Sequence, residues 1–284
     1  MKILIIGAKG NLGSQLVKVF SDFEVIAWDK ESLDVTDKDQ VREKISNLKT
    51  DVIINTASFN AVDKCEEPTG FEMAQKINGE AVGFLADAAL AVNAILVHYS
   101  TDYVFSGDEQ GGYIETDMPA PISKYGESKL MGEREIFKKA ALGLKYYLIR
   151  TSKLFGPKGE SEVAKPSFFD IMLKLAKEKE YLEVVDEEMS CFTYTPDLAR
   201  ATRKLIDDKK ESGIYHIINE GACTWYEAVL ELFKIAGVDV RVNPVTSEKF
   251  PRLAQRPKYS VLLNTKVEKL RHYKEALKEY ISRI

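Results

Sequence analysis

The chain has 284 residues, 45% of them hydrophobic and 30% charged, enough for one large or two closely packed domains. Its 40 Lys+Arg and 44 Asp+Glu leave a formal net charge of -4 with both signs interspersed, which speaks against the concentrated basic face of a nucleic-acid binder. No apolar run approaches the roughly 20 residues of a membrane span, the start lacks a signal peptide's apolar region and cleavage site, and Cys65, Cys191 and Cys223 form no CxxC pair, so the composition implies a cytoplasmic protein without a cysteine metal site.

In chain order, short continuous apolar runs at residues 3–6, 25–28, 52–55, 95–100 and 147–150 read as strands buried on both faces. Helical patterns at 11–20, 38–48, 71–92 and 125–139 separate them. This alternation predicts an α/β fold with a doubly wound parallel sheet and a ligand at the carboxyl ends of its strands. After Thr151 the texture changes. The breaker cluster Gly156-Pro157-Lys158-Gly159 precedes a helix at 168–178, a strand at 182–185 and helices at 195–207, 225–236 and 273–284. The expected organisation is a dinucleotide-binding Rossmann domain over 1–151. A smaller, mainly substrate-binding α/β region over 152–284 follows, one element of which can return to the main sheet.

The first strand runs directly into Gly7-Ala8-Lys9-Gly10-Asn11-Leu12-Gly13 and then an amphipathic helix. Glycines there let the backbone turn and approach a pyrophosphate, whose charge rests on the helix N-terminal N–H groups. The spacing GxxGxxG is one residue wider than GxGxxG, but its place between strand and helix is the context a dinucleotide loop requires. Asp29, at the end of the second strand, can accept from an adenosine ribose, which favours NAD. Lys30 beside it can tolerate the 2′-phosphate of NADP, so the choice between NADH and NADPH stays open. Asp29 read as a simple strand-end cap, and Thr36 or Asp37 as the N-cap of the next helix, are the plain alternatives around Asp34 and Val35. Small residues in Asn55-Thr56-Ala57-Ser58 end the third strand where a dinucleotide must lie close.

Tyr125-Gly126-Glu127-Ser128-Lys129 sets a tyrosine and a lysine four apart on one helix face. An ammonium near a phenol favours the phenolate and arms Tyr125 as general acid for a carbonyl oxygen that receives a hydride. YxxxK alone is a common accident. It gains weight from Ser100-Thr101-Asp102-Tyr103 at the end of the fourth strand, where the Thr101 hydroxyl can reach both a substrate oxygen and Tyr125. A local turn made by the Thr101 hydroxyl is the competing reading. His98, inside an apolar strand, reads as a core residue.

Together these residues resemble the extended short-chain dehydrogenase/reductase superfamily, and within it the dTDP-4-dehydrorhamnose reductase family. The resemblance runs over nearly the whole chain, through residues 60–64, 98–105, 125–130, 150–152, 256–260 and 263–265. It implies Gly10, Asn11 and Leu12 on the pyrophosphate, Asp29, Asp34 and Val35 at the adenosine end, and Ser58, Phe59 and Asn60, beside Ala57, along the dinucleotide groove. It implies Tyr125 as proton donor, Lys129 as its partner, Thr101 as tuner of the proton transfer, and Thr101 and Asp102 against the sugar. Lys153 stands where the family has a tryptophan on the substrate, and the 186–193 stretch lacks the family's proline. Gln15 replaces an acidic residue that in some relatives holds a magnesium at a dimer interface, so no metal site is expected. Arg256 is a candidate anchor for the nucleotide diphosphate, with an ordinary ion pair as the alternative.

The implied function is NAD(P)H-dependent reduction of a nucleotide-linked 4-keto-6-deoxy sugar for cell-surface polysaccharide. Its partners are that nucleotide-diphosphate sugar and, as an option, a second copy in a homodimer, with no nucleic acid and no membrane. Two alternatives remain at this point. One is an epimerase or dehydratase of the same superfamily, which would want an acidic pair that Asp102-Tyr103 does not supply. The other is a non-catalytic dinucleotide-binding regulatory subunit, against which the intact Thr101, Tyr125 and Lys129 argue.

Overall fold

The computed structural model describes residues 1–161 and 164–284. Strand β1 (Lys2–Ile6), helix α1 (Asn11–Val19), β2 (Glu24–Trp28), α2 (Lys38–Leu48) and β3 (Val52–Asn55) open the chain. Helices α3 (Pro68–Ala74) and α4 (Ala81–Ala91) follow, joined through a single π-turn over Gln75–Glu80. Then come β4 (Ile95–Thr101), α5 (Lys124–Ala140) and β5 (Tyr146–Thr151). The sequence read residues 71–92 as one unbroken helix. The structure keeps the continuity but inserts the π-turn, a feature often found at functional sites.

Alternation along the strands explains why both sheet faces are covered. Ile3, Ile5, Val52, Ile54, Val97 and Ile149 point to one face, under Leu12 and Leu16 of α1. Leu4, Ile6, Ile53, Leu96 and Leu148 point to the other, under Val41 and Ile45 of α2, Val82 and Leu85 of α4 and Ile136 of α5. A strand buried on both sides must be apolar at every position.

The second half supplies β6 (Leu154–Phe155), α6 (Phe168–Glu178), β7 (Tyr181–Val185), β8 (Thr193–Tyr194), α7 (Thr195–Asp207), β9 (Gly213–His216), β10 (Asn219–Glu220), α8 (Trp225–Ala236), β11 (Arg241–Val245), β12 (Leu270–His272) and α9 (Tyr273–Ile281). The main sheet runs β2-β1-β3-β4-β5-β9, parallel at every pairing. Its last strand is therefore drawn from the second half, and α7 packs Leu198, Leu205 and Ile206 into the α1 face. This is a Rossmann-type doubly wound sheet. Strand order reverses between β1 and β3, so the ligand crevice lies at their carboxyl ends. Strands β9 and β11 were not foreseen, and the last helix closes at Ile281 rather than at the chain end.

A second core forms around Phe155, Phe169, Phe192, Tyr194, Leu232, Tyr273 and Leu277. Its helices start on well-made caps: Ser167 with Asp170 for α6 and Thr224 with Glu227 for α8 form reciprocal capping boxes. Short parallel pairs β7–β11 and β6–β8 hold this half together. Among the described residues, no helix is long and apolar enough to cross a membrane.

Candidate active site

The glycine loop sits at the switch point. Gly7 has φ +79°, and a Cβ there would lie 2.6 Å from Thr56 Oγ1 and 3.0 Å from the Ala57 nitrogen. Only glycine permits this approach of the loop to the end of β3. Helix α1 begins at Gly10 with no side chain capping its N–H groups, which leaves them free for an anion. The residues present fit a dinucleotide pyrophosphate.

Asp29 is fixed against this loop: Oδ2 accepts from the Lys9 N–H at 3.0 Å and Oδ1 from the Lys30 N–H at 2.7 Å. Asp34 uses one carboxylate oxygen for the N–H and hydroxyl of Thr36 (2.9 and 2.7 Å). These bonds hold its pKa below the ordinary carboxylate value. Asp37 is the N-cap of α2, and Val35 packs against the α2 face of the core. Gln15, buried in α1, donates to Ser14 Oγ at 3.2 Å.

Asn11 has its side chain engaged elsewhere. Its Oδ1 accepts from the Gly159 N–H (2.8 Å), and its Nδ2 donates to the Lys165 carbonyl (3.0 Å). The Ser161 N–H also reaches the Lys9 carbonyl at 2.9 Å. A loop of the second half is thereby laid against the glycine loop, and Asn11 has its backbone N–H, not its amide, to offer a phosphate. Gly159 makes this possible, since a Cβ there would lie 2.3 Å from the Lys9 carbonyl oxygen.

Past β3, one buried side chain that sequence reasoning missed organises the groove. Asn78, in the π-turn between α3 and α4, accepts from the Phe59 N–H (2.8 Å) and the Ser58 hydroxyl (3.1 Å). It also donates to the Phe59 carbonyl (2.9 Å) and to Ser128 Oγ of α5 (3.0 Å). One amide thus ties the Ser58–Phe59 loop to the helix that carries Tyr125. The π-turn was the only signal, and it is not readable from periodicity. Ala57 is held by its N–H to Asn55 Oδ1 at 3.1 Å, and Asn60 is exposed.

Tyr125 lies on the first turn of α5, its ring edge-on to Tyr103 with centroids 5.9 Å apart. Burial raises its pKa above the ordinary phenol value and the Asp102 carboxylate adds to the rise, while the Thr101 and Ser58 hydroxyls beside the phenol oppose it. Thr101 Oγ1 donates to Asp102 Oδ1 at 3.0 Å. Asp102 Oδ2 accepts from Ser152 (2.8 Å) and Ser260 (2.6 Å). Asp102 is 2% exposed and burial raises its pKa against these three hydroxyls. Its carboxylate is filled from within the protein, so its bearing on a ligand runs through Thr101.

Lys129, one turn beyond Tyr125 and 2% exposed, donates to the Tyr99 carbonyl at 2.6 Å. Burial brings its pKa down to about 8, opposed by Glu133. Glu133 itself accepts from Arg150 Nε (3.0 Å), Arg150 Nη2 (2.7 Å) and Ser100 Oγ (2.6 Å). That buried cluster fixes α5 to β4 and β5.

Lys153 adopts a left-handed backbone (φ +36°). Its ammonium lies 3.6 Å from the Trp225 ring centroid and 5.1 Å from that of Phe192, a cation–π contact, and donates to the Glu188 carbonyl at 3.4 Å. Burial lowers its pKa to about 8, against the pull of Glu188 and Asp102. Trp225 is anchored by its Nε1–H to Glu188 Oε2 at 2.8 Å, and Arg252 pairs with the same carboxylate. Arg256 is found in the ion pair given above as its plain alternative: Nη2 meets Asp63 Oδ2 at 2.6 Å and Nη1 donates to the Ala254 carbonyl at 3.2 Å. Beside Trp225 and Arg252 opens a groove of about 700 Å³, walled by Phe168, Met172, Leu182 and Val184.

The RmlD substrate binding domain family matches residues 1–284. The spore coat polysaccharide biosynthesis protein SpsK of Bacillus subtilis is 37% identical over 287 residues, covering 99% of this chain and 96% of its own. Among solved structures, a dTDP-4-dehydrorhamnose reductase of Clostridium acetobutylicum superposes with a TM-score of 0.92 at 42% identity, covering 100% of this chain and 99% of its own. The dTDP-4-dehydrorhamnose reductase of Bacillus anthracis in complex with NADP gives 0.92 at 34% identity, covering 100% of both chains.

Proposed function

The chain belongs to the RmlD substrate binding domain family and is an NAD(P)H-dependent oxidoreductase, and we propose that it reduces dTDP-4-dehydrorhamnose, the compound for which its solved relatives are named. The observation that carries this reading is the phenol of Tyr125, flanked by the Thr101 and Ser58 hydroxyls, in a chain whose helix α1 has an N-terminus free of any side-chain cap. NAD(P)H, held by the glycine loop, Asp29 and the Ala57–Asn60 loop, would supply the hydride.

The protein's own groups manage the proton. A phenol whose pKa is raised by burial keeps its proton until an oxygen of high basicity appears, and the carbonyl oxygen becomes one as its carbon is reduced. Tyr125 then donates. Thr101 gives its hydroxyl hydrogen to Asp102 in the resting site, so a lone pair faces Tyr125. Once the phenolate forms, the same hydrogen can turn to it. The groove beside Trp225 offers apolar walls to a nucleoside base, and Lys153, whose ammonium lies over the Trp225 ring, is a cation able to donate to the substrate. The same reading places the enzyme in the cytoplasm, supplying sugar nucleotide for cell-surface polysaccharide.

The test is the loss of NADPH and NADH absorbance on adding dTDP-4-dehydrorhamnose to the purified protein. Substrate-dependent oxidation is the expected result. Binding of cofactor without oxidation would overturn the proposal.

A further inference from the structure

Lys129 ends a line of hydrogen bonds that begins in the loop after β3. The Ala57 N–H donates to Asn55 Oδ1 at 3.1 Å, which leaves Asn55 Nδ2 facing His98 Nδ1, also at 3.1 Å. An amide nitrogen only donates, so Nδ1 must accept, and a neutral His98 carries its hydrogen on Nε2. His98 is neutral: burial, and then the charge of Lys129, lowers its pKa well below the ordinary value. Nε2 faces Lys129 Nζ at 3.4 Å, and Nζ donates to the Tyr99 carbonyl.

An ammonium has three donors and no acceptor, so a protonated Lys129 meets the Nε2–H donor to donor. An amine has a lone pair. With Lys129 as an amine each contact in the line joins a donor to an acceptor, from Ala57 through Asn55, His98 and Lys129 to the Tyr99 carbonyl. Turning the Asn55 amide over would only move the donor clash to the Ala57 N–H.

We propose that His98, its tautomer set by Asn55, is a positioning residue that hydrogen-bonds the amine form of Lys129 and so eases release of this lysine's proton. Burial acts in the same direction, bringing Lys129 down to about 8. On β4 the polar groups facing it are His98 and the Tyr99 carbonyl; the Tyr99 hydroxyl is turned away to Thr202 at 2.8 Å. On α5 the charge acting on it is Glu133 one turn after, with Tyr125 one turn before it in the same helix. Glu133 favours the ammonium, but its carboxylate is already shared between Arg150 of β5 and Ser100.

The consequence rests on the reductase reading. Each turnover leaves Tyr125 as a phenolate. An N–H bond of the Lys129 ammonium breaks, the O–H bond of Tyr125 re-forms, and the amine lone pair takes the His98 Nε2–H. Solvent supplies the net proton that restores the ammonium.

Two measurements test this without turnover. The chain has 3 histidines, so nitrogen NMR of protein with isotope-labelled histidine reads the His98 tautomer directly. Hydrogen on Nε2 is expected; hydrogen on Nδ1 overturns the proposal, and no variant is needed. In protein with labelled lysine, the Cε resonance that disappears in Lys129→Met reports the ionisation of Lys129. His98→Gln can turn a carbonyl oxygen towards the ammonium, and its titration midpoint is expected to rise by about one pH unit, with the alkaline limb of kcat following. A folded His98→Gln with an unmoved midpoint overturns the proposal. A midpoint that moves in a chain unable to reduce the keto sugar upholds the wiring and overturns the reductase reading.

Discussion

Glu133→Gln attacks the cluster that fixes the reactive helix to the sheet. Glu133 is 0% and Arg150 1% exposed, and the carboxylate accepts two bonds from the guanidinium and one from Ser100. A glutamine keeps one acceptor oxygen but leaves the Arg150 cation buried without a counter-charge. Removing one partner of a buried pair costs about 3–5 kcal/mol, and the retained acceptor places this variant at about 3. That is a large share of a typical stability of about 5–15 kcal/mol. Taking about 2 °C per kcal/mol, the low end for larger domains, the thermal midpoint should fall by roughly 6 °C. Calorimetric or fluorescence-detected melting at neutral pH reads it. In Glu133→Leu combined with Arg150→Met, both charges are gone and much of the loss should return. A Glu133→Gln midpoint within about 1 °C of wild type would refute the view that this pair is dry and mutually dependent.

Three further outcomes follow from the same geometry. Tyr125→Phe removes the proton donor and should lower kcat by about 10²-fold or more, while cofactor affinity measured by fluorescence titration stays near wild type. Lys153 loses its charge as pH rises through about 8, so KM for the sugar nucleotide should climb above that pH in wild type. In Lys153→Met it should be higher and flat across the range; equal profiles would remove Lys153 from the substrate site. Gly159→Ala places a Cβ 2.3 Å from the Lys9 carbonyl oxygen, about 1 Å inside tolerable contact, and should break the bonds to Asn11 and Lys9 at about 0.5–1.5 kcal/mol each. Its cofactor dissociation rate should rise by several-fold in stopped flow, and an unchanged rate would show that this loop does not bear on the dinucleotide.

The legible parts of this chain were those whose signal is local. Ile3–Ile6 and Val52–Asn55 are apolar at every position because helices cover both faces, and the glycines of residues 7–13 announce a turn onto a helix. Tyr125 and Lys129 share a helix face by spacing alone. What stayed hidden depends on residues far apart in sequence. The Asp102 carboxylate is filled by Ser152 and Ser260, and Asn78 reaches both Phe59 and Ser128. The loop at Gly159 grips Asn11. Strand β9 escaped notice because its four residues, Gly213–His216, include a glycine and a histidine and form too short a run to read as a strand without its neighbour β5. For Lys153, the family resemblance implied that a cation replaces a ring, but not that Trp225 would come to lie beneath it.

The central claim is that a hydride reaches the keto carbon of the sugar while Tyr125 protonates its oxygen. Turnover with NADPH deuterated at the transferring position tests this most directly, with the product read by proton NMR. The account predicts deuterium on the sugar carbon that bore the keto group, at one label per turnover, and labelled product lower by about a hundredfold or more from Tyr125→Phe incubated for the same time. Deuterium elsewhere in the sugar, or a reduced product free of label, would contradict it.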